Sequence, residues 1–262
     1  ASPVLPAISM HSAADCTAAP CTALDGSVVR ITDQQGESGT ADLVDGLLEQ
    51  ARLEQLIDTV KPPIPCDWPD AEQGQPMPSH TLLLTPFRYP PLESGSRFGR
   101  VHQRHLFYGA RSVETALAER AFHALRMLEA SPLPPGACIQ RLQSAFSVTI
   151  TTQRGLALHT HLSPEILSAI TNPCSYAASQ RCGDAMRERG IQAFEVPSAR
   201  SPQTAPVVGV LTPYAFSSTP FDFQDWTLEI NAEGVTAVSF GGNLTGAFTR
   251  EQFLVNGQWP LS

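Results

Sequence analysis

Apolar positions along this chain recur with two periods, and the changes between them mark the elements. In residues 41–60 (ADLVDGLLEQARLEQLIDTV), Leu43, Val44, Leu47, Leu48 and Ala51 make one stripe at helical spacing. Leu53, Leu56, Ile57 and Val60 continue it. Pro62 and Pro63 end this predicted helix. Its apolar face suits either the chain's own core or a partner, including a second copy. Ser112 is an N-cap residue for a second helix running to about Glu129, which the Pro-rich SPLPPG stops. There Leu117, Ala121, Ala124 and Leu128 share a face, while Glu119 lies on another with Thr115, Phe122, His123 and Arg126. Period two appears in AFSVTITT, where Phe146, Val148 and Ile150 alternate with Ser147, Thr149 and Thr151, as in a half-buried strand.

The remaining elements follow from shorter signals. The apolar run 81–85 and the segment 104–109 read as strands. Ser163, Pro164 and Glu165 open a short helix, and a longer one covers about 174–189, ending at Gly190. IQAFEVP, VVGVL, WTLEI and VTAVSF are strands, the last two joined across Asn231–Gly234. Residues 1–40 read as an arm with one short strand at Ser27–Thr32, and 61–80, with six prolines, as an irregular connector. Strands and helices mix without a βαβ rhythm, which predicts an α+β fold with largely antiparallel sheet. The expected division is an N-terminal extension, 1–80, and a main domain, 81–262.

Composition narrows the classes. A 42% apolar share supports a core, and a net charge of −8 disfavours contact with nucleic acid, which needs a basic face. Lys61 is the only lysine, so the cationic groups are arginines, which bind phosphates as planar forks. The six cysteines form no Cys-x-x-Cys pair and read as buried or free thiols of a reducing cytoplasm. Cys174 and Cys182 are expected on one helix at i and i+8. Nothing resembles a signal peptide or a membrane span, so a soluble cytoplasmic protein without membrane contact is expected. His159 and His161 would face one side of a strand, but no third ligand accompanies them, and no metal site is expected.

Candidate chemistry concentrates between Arg88 and Glu119. Arg97, Tyr108 and Glu119 are evenly spaced, on a predicted loop, strand end and helix, with Arg88 and Tyr89 just upstream. Two arginines suit a pyrophosphate, a tyrosine suits an aromatic ring, and one carboxylate suits a transition state that builds positive charge. A nicotinamide dinucleotide combines these demands. Neither a P-loop nor a G-x-G-x-x-G fingerprint is present. Ser198, following Val196 and Pro197 at a strand end, lacks the G-x-S-x-G setting of a nucleophile and is expected to hydrogen-bond a phosphate or ribose, with Arg200 assisting.

FRYPP, GSRF, FYGARSVETALAE and VPSAR, in that order over about residues 80–245, resemble the RES domain family. The resemblance implies an ADP-ribosyltransferase-like architecture of split, mainly antiparallel sheets flanked by helices. It makes Arg97 the motif arginine, Glu119 the motif glutamate and Ser198 the motif serine. It places Tyr108 as the active-site tyrosine and Arg88 and Tyr89 as an Arg-Tyr pair near the dinucleotide. It implies the toxin of a type II toxin–antitoxin module that cleaves the nicotinamide–ribose bond of NAD+. The implied partner is an antitoxin of the Xre/MbcA/ParS type covering the site. NAD+ is then substrate, with no other cofactor beyond inorganic phosphate as a co-substrate. The alternatives are a mono-ADP-ribosyltransferase acting on a cellular protein and a catalytically silent binding module.

Overall fold

The computed structural model describes residues 16, 19–34, 47–64, 77–89, 95–132, 134, 136–201 and 205–260. Its backbone is one mixed sheet with helices against it. The strands are β1 (Thr22–Asp33), β2 (Phe107–Ala110), β3 (Ile139–Ala157), β4 (Ala193–Val196), β5 (Val207–Val210), β6 (Phe221–Ile230), β7 (Gly234–Ser239) and β8 (Thr245–Thr249). They lie in the order β1-β2-β5-β4-β3-β6-β7-β8, and β1 also pairs with β3. Five strands therefore close into a ring, and β6, β7 and β8 extend from it as a wing. The long β3 belongs to both parts. Its first half pairs with β6, and its end pairs with β4 in the sheet's only parallel contact among the described residues. The α+β class and mainly antiparallel pairing are as expected.

The interior of the ring holds Val28, Phe107, Phe146, Val148, Ile150 and Val208, each essentially inaccessible. In β2 successive side chains point to opposite faces, so Phe107 enters this core while Tyr108 packs on the other side. Tyr108 pairs with Gly209 of β5.

The helices are α1 (Leu47–Val60), α2 (Thr81–Arg88), α3 (Val113–Ala130), α4 (Leu158–His161), α5 (Pro164–Ile170) and α6 (Ala177–Glu188). Ser112 caps α3 as expected, accepting from Thr115 N at 3.2 Å. The helix buries Leu117, Ala121, Phe122 and Leu125 against β6, β7 and β8. In α5, Ser163 and Pro164 occupy the predicted cap and first positions.

Four expectations change. The apolar run 81–85 is helix, not strand. The His80 side chain caps it at Leu82 N, and Leu83, Leu84, Pro86 and Phe87 are buried at helical spacing. Three leucines between two threonines fit either period, and the cap decides it. The short strand of the arm is instead the whole of β1, paired with β3 from Thr22 to Asp33. Cys174 lies before α6, not on it, and Cys182 is buried within it. His159 and His161 sit on the helical turn α4, where residues two apart diverge, and no metal-holding cluster occurs among the described residues. As for the predicted helix 41–60, residues 41–46 lie outside the described part. In α1 the side chains of Leu48, Leu56, Ile57 and Val60 face solvent, not the core. No helix among the described residues is long and apolar enough to cross a membrane.

Candidate active site

One cavity of about 550 Å³ opens where β1, β2, the start of α3 and the segments 95–98 and 196–200 converge. Arg97, Tyr108, Glu119, Ser198 and Tyr89 all line it. Arg88 does not appear in the wall; it occupies the last turn of α2, one residue before Tyr89.

Among the described residues Glu119 is the only carboxylate in that wall. It lies on the second turn of α3, and its Oε1 accepts a 2.6 Å hydrogen bond from the Ser198 hydroxyl. Ser198 is 1% exposed and is itself fixed by its own turn, because its Oγ accepts from Arg200 N at 3.1 Å and Ser201 N at 2.9 Å. With two N–H donors and one carboxylate acceptor, the hydroxyl is fully used and orients Glu119.

Arg97 is held by carbonyl oxygens: Nη1 lies 2.9 Å from Asn172 O and 3.5 Å from Ile170 O, and the guanidinium covers the Tyr176 ring. Among the described residues it forms no ion pair. The Tyr108 hydroxyl accepts from Phe98 N at 3.3 Å, tying the arginine's loop to β2. Burial raises the Tyr108 phenol's pKa above its ordinary value, against the opposing effects of Ser96, Phe98, Arg97 and Arg187. The phenol therefore stays protonated.

Several lining residues were not among the expected site residues, although Arg200 was. Arg30 of β1 donates from Nη1 to Tyr108 O at 2.7 Å and lies over the Phe107 ring. Its signal was an arginine in register with buried Val28, an expensive position unless the charge has a use. Arg120 pairs with Asp33 and donates to Gln143 Oε1. Arg200 lies 3.5 Å over the Phe122 ring centroid. Burial lowers the pKa of Arg30 to about 10, with Arg120 adding to the effect. Burial likewise lowers Arg200 to about 10, with Arg97 adding and Glu119 opposing. Both remain cations at neutral pH. His123, one turn beyond Glu119, lines the cavity and is itself exposed, with arginines on the same wall. Desolvation, then Arg200, Arg120, Arg30 and Arg97, lower its pKa to about 4. His105 is lowered to about 4 as well, by burial, Arg30 and Arg187. The site thus combines four arginines, one oriented carboxylate and two neutral imidazoles in a protein of net charge −8.

A protein-family model, the RES domain, matches residues 76–231 of this sequence. No curated protein matches it. Among solved structures it is similar to one described as the crystal structure of the M. tuberculosis MbcT–MbcA toxin–antitoxin complex. The identity is 13% and the TM-score 0.40, over 86% of this chain and 95% of that one.

Proposed function

This chain belongs to the RES domain family, and we propose that it is the toxin of a bacterial toxin–antitoxin pair that consumes NAD+ by cleaving the nicotinamide–ribose bond. The observation that carries this reading is Glu119, the one carboxylate among the described lining residues, oriented by Ser198 at 2.6 Å in a cavity that also holds four arginines. In the proposed reaction the bond between ribose C1′ and the nicotinamide nitrogen breaks, and its electron pair leaves with neutral nicotinamide. The positive charge on the ribose is stabilised by Glu119. An acceptor oxygen then bonds to C1′. Water gives ADP-ribose and a proton, while inorganic phosphate gives the phosphate ester of ADP-ribose.

Arg97, Arg30 and Arg200 hold the pyrophosphate, and the face of Tyr108 packs on a ring of the dinucleotide. Arg120, though paired with Asp33, adds a fourth cation, more than two phosphates need, which favours phosphate as acceptor. Family membership supports an antitoxin partner covering the cavity, and the solvent-facing apolar residues of α1 support a protein partner. The proposed place of action is the cytoplasm, where NAD+ is available.

The test is proton NMR of the protein with NAD+, with and without phosphate, beside Glu119→Ala. Free nicotinamide from the wild type alone establishes cleavage, and a phosphate-dependent rate identifies phosphorolysis. Absence of nicotinamide over hours overturns the reading in favour of a protein-directed transferase or a binding module.

A further inference from the structure

The segment between α5 and α6 grips Arg97 twice, through the carbonyl of Asn172 at 2.9 Å and through the face of Tyr176, whose centroid lies 5.0 Å from the guanidinium carbon. Arg200 approaches the same tyrosine from another part of the chain, close enough for the Tyr176 side chain to support its charge. Two guanidiniums close enough to repel each other thus share one side chain, with its ring under Arg97 and its hydroxyl on the side of Arg200. Tyr176 is 8% exposed, and its backbone is fixed at the N-cap of α6. Its carbonyl accepts from Gln180 N at 2.8 Å and from the Ser179 hydroxyl at 3.1 Å. The far sides of both arginines are fixed as well, by Asn172 for one and the Phe122 ring for the other.

We propose that Tyr176 is a positioning residue that sets the separation of Arg97 and Arg200, making this wall a receptor for two linked phosphates. One phosphate engages one guanidinium fork, whereas two forks at fixed spacing match a diphosphate without further ordering cost. The consequence is preference for dinucleotides over mononucleotides. This rests on the NAD+ reading for the whole ligand but not for its diphosphate part.

The experiment titrates inorganic pyrophosphate and inorganic phosphate calorimetrically into the wild type, Tyr176→Phe and Tyr176→Leu. It is paired with the turnover of NAD+ and of nicotinamide mononucleotide. The wild type binds pyrophosphate more tightly than phosphate. Tyr176→Phe keeps the ring under Arg97 but releases Arg200, and weakens pyrophosphate about tenfold while phosphate affinity stays the same. Tyr176→Leu weakens it further. KM for NAD+ rises in proportion, kcat falls less, and the preference for NAD+ over the mononucleotide shrinks. Thermal melting checks that both variants fold. Unchanged pyrophosphate affinity in a folded Tyr176→Phe, or a wild type that does not favour pyrophosphate over phosphate, overturns the proposal. Absent cleavage with the calorimetric pattern intact refutes the NAD+ reading and leaves the role of Tyr176 standing.

Discussion

Ser198 and Glu119, 79 residues apart in the chain, meet through a 2.6 Å hydrogen bond in which the serine hydroxyl donates to Oε1 of the glutamate. The bond joins α3 to the turn after β4, and it does so inside the cavity. A nucleophilic serine would direct its proton to a base and keep its oxygen free. Here the oxygen accepts from two backbone N–H groups, so the serine holds the carboxylate in place.

Ser198→Ala therefore lowers kcat for NAD+ cleavage by about 10- to 100-fold, the size expected for losing a hydrogen bond to a charged group. KM changes little, because the arginines remain. Steady-state kinetics on a variant with wild-type melting behaviour decide the matter. A larger effect on KM than on kcat would mean that the hydroxyl binds substrate directly.

Arg30 links the N-terminal part of the chain to the chemistry, since β1 lies before the region matched by the family model. Arg30→Met keeps the stem over Phe107 and removes the charge. It raises KM for NAD+ about tenfold. It also raises the pKa of His105, because Arg30 is one of the charges that depress it. An NMR titration of the histidines reads the second effect without any substrate. An unmoved His105 would show that the guanidinium does not act across the cavity.

What was legible in the sequence follows from the range of the signals. Ser112 and the apolar spacing behind it are local, and α3 lies where they put it. Arg97, Tyr108, Glu119 and Ser198 were found by their types and order, and all four share the cavity wall. β1 was underread because its composition is unremarkable and its reason for existing is β3, more than a hundred residues away. Arg30 and Arg120 are on the wall through tertiary closure of the ring, which no local period encodes, whereas Arg200 was legible as a neighbour of Ser198. The run 81–85 was misread because three leucines between two threonines satisfy both periods, and the cap came from His80, a residue outside the usual N-cap set.

Gly183 on α6 is a place where a methyl group has no room. A Cβ there would lie 2.1 Å from the carbonyl oxygen of Phe98, on the loop that carries Arg97. Arg187, one turn later, donates to the same oxygen at 2.7 Å. Gly183→Ala must push helix and loop apart, costing about 1–3 kcal/mol as an overpacked contact and lowering Tm by several degrees. It also weakens pyrophosphate binding, since Arg97 moves with its loop. Differential scanning calorimetry and titration on one sample test both parts, and an unshifted melting temperature would mean that the contact yields freely.

The two imidazoles give the protein a stability profile in pH with a defined sign. His105 and His123 titrate at about 4 in the folded protein, against an ordinary 6.5. Between these values the unfolded chain binds more protons than the native one, so stability rises with pH across the window. The contribution is fully present above about pH 6.5 and is lost as pH falls toward 4. Most carboxylates protonate near the lower edge, so the fall between pH 6.5 and 5 belongs mainly to the histidines. Melting temperatures measured at half-unit steps trace it. His123→Gln removes one titrating group and flattens the slope, while leaving stability at pH 8 nearly unchanged because the native imidazole is already neutral. A variant that melts in parallel with the wild type from pH 8 to 5 would place the His123 ring in ordinary solvent, away from the field of the four arginines.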